Sequence, residues 1–370
     1  MAGKVEAPKT VDEVLREIQK VYGEDSIVRG SDMRGRTIGR MSTGVLSYDA
    51  ALGGGWPIGS WVEVIGNESH GKTLLAQSTV IANQRRDPDF QTVWLAGEPV
   101  NFEWCEQLGM DLDRVMFVPG NSMEESYDIS LKFMENRLCD LVVIDSLPAM
   151  IPTTEDDREF EELTIGKAAL LNNKYFVRKA TTAMRRSYSK PDRPCSGLAI
   201  NQWRERIGVM HGDPRIAPGG KGKNFAFFMR VEMTRTEWIK EGTRSVGGRF
   251  RLRTIKNKVA PVNRSAEINF YFDDATAFGK GTFDHVEDIV YTAMYYDLLG
   301  VGGGGYYTFG KRSWRGKEKV IAAVREDFDL QDELREAVMH VVNPTSDPVH
   351  DAQNRSRHPS ARKIRLVRNR

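Results

Sequence analysis

The chain reads as an α/β protein: a mostly parallel, twisted sheet flanked by helices, extended by antiparallel strands, with a helix ahead of it and a small α+β domain behind. Three observations predict this. Short apolar runs alternate with long helical stretches from about residue 40 to about residue 200. Three more strand-like runs then follow closely, with turn signals such as "VGG" and "NK" between them. Beyond Asp273 the pattern turns helical, broken by the glycine-rich "GVGGGGYY".

Taken in order, residues 10–23 place Val11, Val14, Leu15, Ile18 and Val21 at helical spacing, with Thr10 and Glu13 as a capping box and Gly23 as the stop. So short a helix, ahead of the loose "RGSDMRGRTIGR", cannot bury its stripe alone. It packs on its own core or docks on another subunit. The expected strands are "WVEVI" (61–65), "TVWLA" (92–96), "LVVID" (141–145), "LAIN" (198–201), "MRVEMT" (229–234), "FRLRTI" (250–255) and "EINFYF" (267–272). The first four form the parallel sheet and the last three the antiparallel extension. The division expected is 1–37 for the helix and linker, 38–274 for the core, 275–345 for the small C-terminal domain and 346–370 for a basic, disordered tail.

A hydrophobic share of 40% and a charged share of 28% are those of a soluble globular protein. With no bilayer-length apolar run and no signal segment, the cytoplasm is the expected location and no membrane is expected as a partner. Cys105, Cys139 and Cys195 are scattered and odd in number, so no disulfide framework is implied, and the histidines lack metal-ligand spacing. Net charge is only +2, yet the final stretch "DAQNRSRHPSARKIRLVRNR" carries seven Lys/Arg against one Asp. Such a tail is either a solvated end or a nucleic-acid arm.

The chemistry begins at "GNESHGKT" (66–73), directly after a strand and before a helix. Gly66 and Gly71 bracket Asn67, Glu68, Ser69 and His70 and let backbone N–H groups converge on phosphate; Lys72, Thr73 and Leu74 follow. Lys72 is expected on the β- and γ-phosphates and Thr73 on Mg²⁺. Asp145 ends the apolar "LVVID" where a carboxylate would complete the metal shell, and Ser146 could bond the metal's water. Glu98, at the tip of "TVWLAGE", fits a general base and a glutamate at a helix start equally well. Trp104 fits an adenine stack or a core residue.

The run "INQWRERIGVMHGDPRIAPGG" (200–220), with "STGVLSYDAALGGGWPIGSWVEVIGNESHGKT" and "TIKNKVAPV", closely resembles the RecA recombinase family, over about residues 11 to 345. The resemblance implies a RecA-like P-loop ATPase core that takes ATP and Mg²⁺. It makes Glu98 the catalytic base and Gln202 the sensor of the γ-phosphate. It makes Lys256 and Lys258 contacts to the nucleotide of the neighbouring subunit; read from residues alone, they are a solvated β-edge. Arg204, Arg206, Ile207, Gly219, Gly220 and Lys221 face single-stranded DNA, with Ile165 from a first loop (153–165) and Arg178 behind it. The first loop, "TTEDDREFEELT", is acidic; charge alone argues against a polyanion there, though the family's loop is acidic too. Arg235, Arg251 and Arg253 match the family's second DNA site, and the alternation of the last two also suits a solvated sheet face. Phe225 matches a subunit-interface position, and the N-terminal helix matches the segment that docks on the next subunit.

Four departures stand out. The tail is basic where the family's is acidic; "RRSYSKPDRP" (185–194) reads as an insertion; Ile216, Ala217 and Pro218 stand where hydroxyl residues are usual; and Trp104 stands, one position shifted, where a tyrosine is usual. The function implied is an ATP-dependent homologous recombinase that forms a helical filament of itself on single-stranded DNA, pairs it with double-stranded DNA and hydrolyses ATP when DNA is bound. Single-strand-binding and mediator proteins would be its helpers. The rival readings are a hexameric helicase motor, which would need an arginine finger where the "KNK" lysines stand, and a DNA-coating filament protein without useful turnover, against which Glu98 and Gln202 argue.

Overall fold

The computed structural model describes residues 9–33, 38–153, 162–184, 194–205, 214–220, 222–273 and 279–343. The acidic segment 154–161, the stretch 185–193 and the basic tail lie outside these residues. Helix α1 (Val11–Tyr22) starts in a complete Thr10/Glu13 capping box and stops at Gly23, whose φ of 95° suits glycine. None of its residues is buried. Val11 and Val21 are 68% and 72% exposed, so the apolar stripe does not pack on the core.

Nine strands form the central sheet: β1 (Trp61–Ile65), β2 (Thr92–Ala96), β3 (Val115–Pro119), β4 (Leu141–Asp145), β5 (Ser196–Asn201), β6 (Phe227–Glu241), β7 (Arg244–Asn257), β8 (Ser265–Tyr271) and β9 (Thr282–Phe283). Their order is β9-β8-β7-β6-β1-β5-β4-β2-β3. Neighbours from β6 to β3 are parallel, and β7, β8 and β9 add antiparallel to the other side of β6. All seven expected strands are present. One expectation is corrected: β6 belongs to both halves, parallel to β1 and antiparallel to β7, so it is the hinge of the sheet rather than part of an appended layer. Strand β3 escaped the sequence reading because "VMFVP" is a short edge strand ending in proline.

Helix α2 (Leu46–Leu52) precedes β1, helices α3 (Lys72–Arg86), α4 (Phe102–Gln107), α5 (Met123–Glu135), α6 (Glu162–Asn172) and α7 (Gly222–Ala226) lie between the strands, and α6 runs on through wider, π-type turns to Ala180. Strand alternation divides the core. Val62 and Val64 pack with Leu75, Ala76 and Val80 of α3, whereas Trp61 faces the other way, its ring perpendicular to Phe176 at 4.8 Å. Opposite Trp61 stands Gly197, where a Cβ would fall 2.2 Å from the indole, so only glycine fits.

A third core gathers α8 (His285–Tyr295), α9 (Lys317–Glu326) and α10 (Phe328–Val342) around Leu46 and Ala50 of α2. Asp288 of α8 supplies the cap that α2 lacks locally, accepting the Leu46 N–H at 2.9 Å. The glycine-rich break contains a small sheet of β10 (Gly300–Gly302), β11 (Tyr306–Phe309) and β12 (Arg312–Arg315), which glycine composition hid from the sequence reading. Cys105, Cys139 and Cys195 are buried and free. Among the described residues, no helix is long and apolar enough to cross a membrane.

Candidate nucleotide site and nucleic-acid interface

The glycine loop is shaped by the β6–β7 hairpin beneath it. A Cβ at Gly66 would lie 2.3 Å from the Met233 carbonyl oxygen, and one at Gly71 would lie 2.8 Å from the Phe250 ring. Gly71 (φ 80°) and Ser69 (φ 55°) both take left-handed backbone, which bends the loop into a cup. Helix α3 then starts at Lys72 with no side chain capping it, so its first N–H groups remain for a ligand. Lys72, 7% exposed, reaches across the cup to donate to the Asn67 carbonyl at 2.6 Å. Burial lowers its pKa, opposed by Asp145, Glu98 and Glu68.

Two neighbouring strand ends complete the site. Ala96 of β2 is level with Asp145 of β4, and the N–H groups of Gly97 and Glu98 both donate to the Asp145 carbonyl, at 2.8 and 3.2 Å. Burial raises the Asp145 carboxyl to about 6, with a bond from Thr73 and the charge of Lys72 working against it and the Glu98 charge adding to it. Ser146 donates to Glu98 at 2.6 Å, so its hydroxyl orients the expected base rather than lying open. An ammonium, a hydroxyl and two carboxylates therefore converge on a donor-lined cup. That set fits a phosphate chain with a hard cation, to be held by Thr73 and Asp145. Ile65 is level with Asn201, so Gln202 stands directly beside Gly66, its N–H bonded to the Asn201 side chain at 2.9 Å. Trp104 is half-buried, edge-on to Phe270 at 6.4 Å and beneath Lys280.

Lys256 and Lys258 lie elsewhere. Lys256 donates to the Asn224 carbonyl at 2.8 Å and Lys258 lies 5.4 Å from the Phe228 ring centre. Both are at the end of the sheet where β1 begins, while the phosphate loop follows where β1 ends. Phe225, next to Asn224 in α7, is 81% exposed.

Behind Gln202, Arg204–Glu205 pairs with Arg215–Ile216, so the expected loop has a hairpin stem. Glu232 holds that stem. It accepts from Trp203 at 3.0 Å and Arg215 at 2.6 Å, and from Arg253 of the second-site trio at 2.6 Å. Burial pulls its carboxyl up, but the bond from Arg253 and the charge of Arg215 keep it below the usual range. Gly219 and Gly220 take φ 91° and 85° and close on Lys223 and Ala169. Arg204 and Arg178 are exposed. Arg206, Ile207, Lys221 and the Ile165 side chain lie outside the described residues.

The trio expected as a second DNA site is divided by strand register. Arg251 and Arg253 alternate on one face, exposed, with Glu267 at 4.0 Å and Glu232 as their partners. Arg235 is level with Phe250, on the opposite face, and donates to the Ser69 carbonyl at 2.9 Å. Sequence reasoning also missed Glu63, fully buried, which Lys223, Arg230 and Asn201 hold ionised at 2.6, 2.5 and 2.8 Å; the signal was a carboxylate inside an otherwise apolar strand.

Fold and site together define an α/β protein of the phosphate-loop class. Residues 9–277 match the model of the RecA N-terminal domain. Protein RecA of Staphylococcus aureus strain JH9 is 31% identical over 327 residues, spanning 88% of this chain and 90% of that protein, and Protein RecA of strains Newman and N315 match to the same extent. The chain belongs to the RecA family.

Proposed function

We propose that this chain is an ATP-dependent homologous recombinase that polymerises on single-stranded DNA, pairs it with a duplex and exchanges strands, with DNA-stimulated ATP hydrolysis. The observation that supports the reading is that the phosphate-loop residues and the lysine pair stand at opposite ends of the sheet. Lys72, Thr73, Asp145 and Glu98 gather at one end; Lys256, Lys258 and the exposed Phe225 stand at the other, as a filament with a shared site requires.

In this reading the loop amides and Lys72 bind the phosphates of ATP, and Thr73 and Asp145 hold Mg²⁺, which neutralises phosphate charge when bound. Glu98, oriented by Ser146, accepts the proton of the attacking water. Gln202 touches the γ-phosphate and passes its presence to the Arg204–Ile216 stem. Lys256 and Lys258 of one subunit stabilise the charge that grows on the phosphate held by the next. Arg204 with the Gly219–Gly220 turn serves the first strand, and Arg251 with Arg253 the second.

The test is ATP turnover with and without single-stranded DNA, followed by pairing of homologous strands. Turnover that rises with DNA, together with joint molecules, is expected. A protein that unwinds a forked duplex without pairing, or that shows no DNA-stimulated turnover, overturns the reading.

A further inference from the structure

Arg235 is set apart from the other arginines of its hairpin by three independent features. Its register partner is Phe250, whose ring lies under Gly71, so it faces the α3 side of the sheet rather than the side of Arg251 and Arg253. Its guanidinium lies 3.8 Å from the Trp238 ring centre, and that ring is braced edge-on by Phe272 at 6.0 Å. Its Nη1 donates to the Ser69 carbonyl, inside the glycine loop, at 2.9 Å.

Ser69 is the loop's only non-glycine residue with positive φ, at 55°, a conformation that costs about 1 kcal/mol or more for an L-residue. Its peptide to His70 is trans, so carbonyl and following N–H point in opposite directions. A cation outside the cup that holds the carbonyl outward therefore aims the His70 N–H inward. The His70 ring bonds the backbone of Met233, two residues before Arg235 on the same strand, and so braces the same turn.

We propose that Arg235 is a positioning residue of the phosphate loop, which holds the Ser69 carbonyl outward and so turns the His70 N–H toward a bound nucleotide phosphate. The proposal rests on the nucleotide reading of that loop, and it removes Arg235 from the second DNA site. Trp238 is its support, keeping the guanidinium flat and in place while the loop fills and empties. A lysine retains the charge but cannot both stack on the indole and reach the carbonyl in plane.

The test is equilibrium binding of a fluorescent ATP analogue with Mg²⁺ to the full chain, without DNA, for the wild type and for R235A, R235K and W238L. R235A is expected to weaken binding about tenfold, the scale of one hydrogen bond from a charged donor; R235K recovers part of the loss and W238L falls between. With DNA present, KM rises more than kcat falls, and the salt slope of duplex binding is unchanged. The His70 ring, whose pKa is lowered by burial and by the Arg235 charge, titrates higher in R235A when followed by NMR. Wild-type nucleotide affinity in R235A, with duplex binding lost instead, overturns the assignment. Absence of nucleotide binding by the wild type overturns the reading of the loop itself, and this proposal with it.

Discussion

Two carboxylates in the candidate site behave differently because their surroundings differ. Glu98 accepts a hydrogen bond from Ser146, and an amide at that position still accepts it but cannot take a proton. E98Q is therefore expected to lower DNA-stimulated hydrolysis by about 10²- to 10⁴-fold while nucleotide binding is kept; turnover at the wild-type rate would assign the base elsewhere. Asp145 carries a cost of burial. Its carboxyl, ordinary value 3.8, is raised by burial to about 6, so the ionised form is the less stable one in the fold. The group thus contributes its full stability below pH 4, and that contribution drains away as pH rises toward 6. At pH 7.5 without metal, D145N should be more stable than wild type by about 2–3 kcal/mol, with the difference gone at pH 4. Chemical denaturation at the two pH values decides it, and a gap of equal size at both would refute the burial argument. Asp49 and Asp288, also raised to about 6, are present in both proteins and cancel.

The first two helices of the chain depend on distant partners in opposite ways. Helix α2 has Val45 at its N-terminus and no cap of its own, and takes one from Asp288, 242 residues away. Replacing Asp288 by Ala removes that cap and leaves the buried Leu46 N–H and the half-buried Ser47 N–H without their acceptor, at an expected cost of about 1–3 kcal/mol. Loss should appear first as weaker amide-exchange protection in α2 and α8; protection lost uniformly would show that the contact is not local. Helix α1 is the converse case: a complete cap, correct periodicity and an exposed stripe. V14S/V21S is expected to leave the melting temperature unchanged and to abolish self-association, read by light scattering. Retained assembly would mean that the stripe faces no second copy. The capping box and the stripe were legible because both lie within a dozen contiguous residues. Strand β3 and the β10–β12 sheet were not, since an edge strand and a glycine-rich turn lack the apolar alternation that marks a strand.

At the scale of the molecule, the proposed function makes the nucleotide site an assembly property. K72A removes the loop's cation, and K256A/K258A removes the lysines at the other end of the sheet. Neither is expected to hydrolyse ATP alone. Mixed, the first supplies lysines to the intact loop of the second, so part of the turnover should return; a mixture as inactive as its components would place those lysines outside the neighbour's site.

The sequence alone determined four of the parallel strands, the glycine loop with Lys72 and Thr73, the terminal Asp145 and the family resemblance, because each is carried by residues adjacent in the chain, where spacing is geometry. Only the tertiary structure decided which distant side chains meet. Register on a pleated sheet alternates faces, so one step along β6 separates Arg235, bound to Ser69 across 166 residues, from Thr234, level with Arg251. The same rule brings Trp203, Arg215 and Arg253 to one carboxylate at Glu232, and Glu63 to Lys223 and Arg230. Composition and periodicity describe what a strand can bury. Pairing decides what it touches.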